Sequence, residues 1–157
     1  MGLGEFFKNL FIDKSLVKDI EFLKRVPLFE DLSNKVLAEL LNVSNRRHYE
    51  QNEIVFTEGR IGRILYIVKS GEVAAFSETK ESVRLHEGEY FGERALLEET
   101  VHRITVRAVR ESELLLLYKV KFDGFLQDDP RAGIAILKKL ALKCIHARDK
   151  SSLKQGG

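Results

Sequence analysis

Residues 90–103 hold the densest set of groups able to handle an anion. Gly92, Glu93, Arg94 and Ala95 follow Tyr90 and Phe91, and His102 and Arg103 come some ten residues later. A glycine ahead of a short helical turn leaves backbone N–H groups without intrahelical partners, and such groups bind anions. Glu93 adds a carboxylate that accepts hydrogen bonds from a sugar hydroxyl. A cationic side chain after the turn completes a phosphate cradle. The candidate ligand-binding residues are therefore Phe91, Gly92, Glu93, Arg94, Ala95, His102 and Arg103. Each has a plainer role open to it. Arg94 and Arg103 are of a type that is mostly solvent-facing, and Glu93 can satisfy N–H groups of its own loop.

Covalent and metal chemistry have no comparable foothold. No nucleophile motif, Walker loop or paired-carboxylate spacing is visible, so no enzymatic activity is expected. His48, His86, His102 and His146 contain no His-x-His pair, and no metal site or required cofactor is expected.

The elements that position these residues fall into three sections. Residues 1 to about 43 read as helices, with Phe6/Leu10 and Phe7/Phe11 four apart and Leu16, Ile20 and Leu23 at helical spacing. Pro27 breaks that run, and Ser33 can cap a further helix carrying Val36, Leu37, Leu40 and Leu41. From 47 to about 119, short apolar runs alternate with glycine turns, which predicts an antiparallel sandwich or roll. Strand 103–109 alternates: Ile104, Val106 and Ala108 share one face, and Arg103, Thr105 and Arg107 the other. By the same parity His102 points inward and Arg103 outward, unless a bulge or a one-residue slip brings Arg103 in. From 120 to about 150 the pattern is helical again. Phe122, Phe125 and Leu126 fit one short helix, and Asp129-Pro130 is a strong start for the next. That last helix carries Ile134, Leu137, Ala141 and Ile145 as a stripe with Ile136 and Leu140 beside it. It can pack on the roll and still offer a partner surface. Cys144 is expected to pack there as a small hydrophobe.

Composition narrows the class. The 157 residues favour one domain, and 44% apolar content suffices for a sizeable core. Charged residues make up 32%, and no run of about 18 apolar residues exists, so no membrane span is expected. One cysteine excludes an internal disulfide and suits a reducing cytoplasm. From Arg131 onward there are seven basic residues and one acidic one, against 19 and 23 before it. That basic end reads as a solvated helix face or as a contact for an acidic partner.

The stretch from Tyr90 to Ala108 resembles the phosphate-binding cassette of cyclic-nucleotide-binding domains. That family includes catabolite-activator-type regulators and the regulatory subunit of the cAMP-dependent kinase. The resemblance covers about residues 22 to 145. It includes Val26-Pro27-Leu28-Phe29 with Leu32, Glu58-Gly59-x-x-Gly62, Tyr66-Ile67-x-x-x-Gly71-Glu72-Val73, and Gly88 followed by Phe91-Gly92-Glu93 and Ala95-Leu96-Leu97. It implies a mainly β fold with flanking helices. The expected architecture is an antiparallel β-roll of jelly-roll type, with N-terminal helices and a C-terminal helix pair. The expected divisions are an N-terminal extension over 1–21, the domain over 22–150 and a flexible tail over 151–157, with Gly156-Gly157 frayed. The resemblance also implies that the glycine and turn backbone hold a cyclic phosphate, that Glu93 holds the ribose 2′-hydroxyl, and that the last helix moves over the base.

One departure stands out. Relatives usually read Pro-Arg where this chain has Val101-His102, so a neutral imidazole replaces a guanidinium. The resulting expectation is a non-enzymatic sensor that binds cAMP, cGMP or a related anion with weakened phosphate contacts, with Arg94 or Arg103 as possible substitutes. The alternative is an interaction or dimerisation module that keeps the fold without the nucleotide. A homodimer through helix 130–150 is expected, and so is the absence of specific DNA binding, because only seven residues follow Lys150.

Overall fold

The computed structural model describes residues 2–78 and 80–155, with side chains at 2–4, 14–78 and 80–148. The pairs Phe6/Leu10 and Phe7/Phe11 lie outside the described side chains, and Gly156-Gly157 outside the described residues. Helix α1 spans Leu3–Lys24 and α2 spans Asn34–Val43. Among the described residues ten strands follow: β1 Asn45–Tyr49, β2 Ile54–Phe56, β3 Ile61–Gly62, β4 Ile64–Ser70, β5 Glu72–Ser77, β6 Lys80–His86, β7 Tyr90–Phe91, β8 Thr100–Val101, β9 Thr105–Ala108 and β10 Ser112–Tyr118. The short helix α3, Arg94–Leu97, lies between β7 and β8. Helices α4, Lys119–Asp128, and α5, Pro130–Gln155, close the chain. One helix thus runs through position 21, and α5 is helical past position 150.

The strands form two four-stranded antiparallel sheets, ordered β1-β10-β4-β7 and β2-β9-β5-β6, and a two-stranded ribbon, β3-β8. This is the mainly β roll with flanking helices that the sequence predicts. Its two central apolar runs show why it has helices on one side. Successive side chains of a strand point to opposite faces. On β4, Tyr66 and Val68 enter the roll while Leu65 and Ile67 face the helices. On β10, Leu114 and Leu116 enter the roll while Leu115 and Leu117 face the helices. A strand buried on both faces reads as a continuous apolar run. The helix-side core adds Phe22, Leu28, Phe29, Leu37, Leu40, Phe122, Phe125, Ile136 and Leu140.

The helix boundaries follow local chemistry. Ser33 accepts the Val36 N–H at 3.3 Å, and Asp129 Oδ1 accepts the Ala132 N–H at 3.1 Å with Pro130 as the first residue of α5. On α5, Ile136 and Leu140 are buried, and Ile134, Ala141 and Ile145 are exposed. Lys139 fixes this helix to the turn after α1, donating to Pro27 O at 2.9 Å and pairing with Asp31 at 2.7 Å and Glu30 at 3.0 Å. Asp19 on α1 is buried and pairs with Arg46 of β1 and, at 3.0 Å, with Lys69 of β4.

The structure corrects two expectations. The strand expected over 103–109 begins only at Thr105, because residues 100–102 are drawn into the β3-β8 ribbon. His102 N–H donates to Arg60 O at 2.9 Å, and Gly59 N–H donates to His102 O at 2.8 Å. Strand parity therefore does not govern Arg103. Cys144 is half-buried and lines a charged cleft instead of packing into the core.

Candidate functional site

The seven residues singled out in the sequence line one cavity of about 210 Å³, between α3 and the 100–104 loop, with Phe56, Thr100, Val101 and Ile104 completing its wall. Gly92 makes the turn possible. Its φ is +75°, and a Cβ there would lie 2.7 Å from Ile64 O. Only glycine accepts both that backbone and that approach. The turn is partly self-satisfied: Ala95 N–H donates to Gly92 O at 3.0 Å and Leu96 N–H to Glu93 O at 3.1 Å. The N–H groups it offers an anion are those ahead of Ala95, on Glu93 and Arg94.

The charged side chains divide sharply. Glu93 is mostly buried, and its carboxylate pairs with Lys143 Nζ of α5 at 3.4 Å. Lys143 Nζ also donates to Tyr90 O at 3.4 Å and sits 3.8 Å from the centre of the Tyr90 ring. Burial, and then the Glu93 charge, push the Tyr90 phenol above its usual pKa. Arg94 is exposed and pairs with Glu98 one turn along at 3.4 Å. Arg103 lines the cavity, and among the described residues its side chain makes no ion pair or hydrogen bond.

His102 turns onto Phe56 and acts as a wall, held there by the ribbon and not by strand parity. Its ring stacks on Phe56 with centroids 3.7 Å apart and planes 10° from parallel. Gly62 makes room for it, since a Cβ at that position would lie 2.7 Å from His102 Cε1. Burial pushes the imidazole pKa below 6.5, so the ring is neutral at pH 7.

A larger cleft of about 750 Å³ opens from the same place toward α5. It shares Glu93, Arg94 and Arg103 with the small cavity and adds Leu97, Glu98, Cys144, Ala147 and Arg148. Sequence reasoning missed Lys143 and Phe56. A lysine on a basic helix carries no local signal of a distant carboxylate, and Phe56 reads as ordinary strand core. Among the described residues no three His, Cys, Asp or Glu side chains converge as a metal site would, and no helix is long and apolar enough to cross a membrane.

Residues 46–129 match the family described as "Cyclic nucleotide-binding domain". The chain belongs to that family. It is 33% identical over 78% of its length to the "cAMP-dependent protein kinase regulatory subunit" of Eremothecium gossypii, of which it covers 26%. It is 34% identical over 69% of its length to the "Cyclic AMP receptor protein" of Thermus thermophilus, of which it covers 52%. The chain thus spans about a quarter and about half of these two relatives. The crystal structure of the Thermus thermophilus catabolite activator protein superposes with a TM-score of 0.72 at 29% identity, over 82% of this chain and 63% of that one. The N-terminal domain of a transcriptional regulator from Streptomyces coelicolor superposes with a TM-score of 0.74 at 25% identity, over 83% of this chain and 94% of that one.

Proposed function

We propose that this chain is a non-enzymatic sensor that binds a cyclic nucleotide such as cAMP or cGMP between α3 and the 100–104 loop. The cyclic phosphate sits against the Glu93 and Arg94 N–H groups and Arg103, and Glu93 accepts the ribose 2′-hydroxyl. Arg103 rather than His102 supplies the positive charge. His102 is neutral and committed to its stack, Arg94 is paired, and Arg103 is without a partner among the described residues. The observation that carries the reading is the Glu93–Lys143 ion pair at 3.4 Å. It spends on α5 the carboxylate that the ribose needs, so nucleotide binding and the α5 contact compete. Lys139 holds the preceding turn of α5 to Pro27, Glu30 and Asp31. The part released is therefore the helix beyond Lys139, and its shift is the output signal.

Calorimetric titration of the purified chain with cAMP and with cGMP tests this. Saturable heat is expected from at least one. Arg103→Ala should weaken it about tenfold to a hundredfold, the worth of a charge-assisted hydrogen bond. His102→Arg, the change expected to help if the phosphate lies against residue 102, should not strengthen it. Binding should be the same at pH 7 and pH 8, where a ring whose pKa burial holds below 6.5 is neutral. No heat at hundreds of micromolar nucleotide would overturn the assignment.

The exposed face of α5 supports the second reading, an interaction module that dimerises through paired helices. Ile134, Leu142 and Ile145 are each about half exposed on it, at 50%, 54% and 53%. A sedimentation equilibrium run distinguishes the two readings. A dimer dispersed by Ile145→Glu without any nucleotide binding would favour the module. The single cysteine fits a cytoplasmic setting for either.

A further inference from the structure

The His102–Phe56 stack has a second side. Beyond it lies a cavity of about 780 Å³, walled by β2, β3, the end of β10 and the start of α4, and sharing only His102 and Phe56 with the small cavity. Its size falls within the range of small-molecule sites. Its mouth is apolar: Ile54, Ile61 and Val120 are 50%, 53% and 74% exposed there. All three line the same cavity and give its mouth apolar surface for a ligand.

The charges at the rim say what kind of ligand fits. Arg63 pairs with Glu99 at 3.2 Å, and Lys119 pairs with Asp123 at 3.0 Å, so these four neutralise one another. Arg60 has no ion pair or hydrogen bond from its side chain among the described residues. The cavity therefore presents a long apolar wall with one uncompensated guanidinium at its edge. It offers none of the glycine-turn backbone that a nucleotide phosphate uses. From this we infer a second ligand site, for an amphipathic monocarboxylate: an aliphatic chain lies along Ile54, Ile61 and Val120, and its carboxylate pairs with Arg60. The planar head group of a guanidinium accepts a carboxylate bidentately.

The probe is decanoate, with decanol as the neutral control, titrated into the full ¹⁵N-labelled chain. Decanoate is expected to shift amide resonances of residues 54–64 and 118–123 saturably, and more tightly than decanol. Arg60→Ala should weaken decanoate about fivefold and leave decanol alone. Val120→Asp, at an exposed position, should weaken it as well by placing a like charge at the mouth. Glu93→Ala should change nothing, which separates this site from the nucleotide reading. The inference is overturned if decanoate does not saturate, if decanol binds as tightly, if Arg60→Ala binds like the parent chain, or if the shifted amides lie elsewhere.

Discussion

The two sides of the His102–Phe56 stack are built by different rules. The small cavity is shaped by backbone: a left-handed glycine, a four-residue helical turn and a loop pinned to the β3-β8 ribbon hold the side chains that line it. The large one is made of side chains standing on strands and on the start of α4, and its only unpaired charge among the described residues is an exposed arginine. A site of backbone groups has little freedom to adapt, so one wrong atom ruins it. A site of exposed side chains tolerates change and loses affinity gradually. Substitutions should therefore hurt the two cavities very unequally.

The sharpest break is at Gly92. An alanine there must adopt a φ of +75° with its Cβ 2.7 Å from Ile64 O. The strained backbone alone costs about 1–3 kcal/mol. Gly92→Ala should lower the unfolding free energy by at least that and abolish calorimetric heat from cyclic nucleotide, while decanoate shifts persist. Loss of both ligands together would mean the two cavities are not independently built. Gly62→Ala comes next and attacks the shared wall. Its Cβ meets the rim of the His102 ring, which can swing away, so the cost is the stack, about 0.5–1.5 kcal/mol. This variant should perturb both ligands, and an effect on only one would assign the stack to that cavity.

Lys143 tests the claim that α5 competes for Glu93. Lys143→Met keeps a long unbranched side chain beside Tyr90 and removes the charge from both the ring and Glu93. A partly exposed pair of this kind is worth at most about 1 kcal/mol, so nucleotide affinity should rise by up to about fivefold. Weaker binding would instead make Lys143 a ligand to the phosphate. The large cavity should not respond, since α5 contributes nothing to it.

Much of this was legible in the residues. Ser33 and Asp129-Pro130 act as caps where their types predict, and the glycine cassette does place all seven candidate residues around one cavity. The runs Leu65–Val68 and Leu114–Leu117 already showed strands buried on both faces. What was hidden depends on docking between distant segments. The register of Arg103 follows from His102 pairing with Arg60 and Gly59, a contact more than 40 positions away in sequence that delays β9 to Thr105. Lys143 meets Glu93 only because Ile136 and Leu140 seat α5 on the helix-side core. Cys144 faces the cleft for the same reason. Helical spacing defines a face but not what that face meets.

The smallest expected effect concerns the wall itself. Burial lowers the His102 pKa in the folded chain below its unfolded value of about 6.5. Protonation then favours the unfolded chain. The stability contributed by neutral His102 is complete above about pH 6.5 and is lost as the pH falls from there through the folded pKa. The thermal midpoint should therefore fall between pH 7.5 and pH 5.5. His102→Phe keeps an aromatic face against Phe56 and removes the titration, so its midpoint should fall less over the same interval. Carboxylates and other histidines act equally in both chains, which makes the difference between them the measure of His102. An equal fall in both would mean that the ring is solvated enough to protonate in place, and the wall between the two cavities would then be looser than the stack implies.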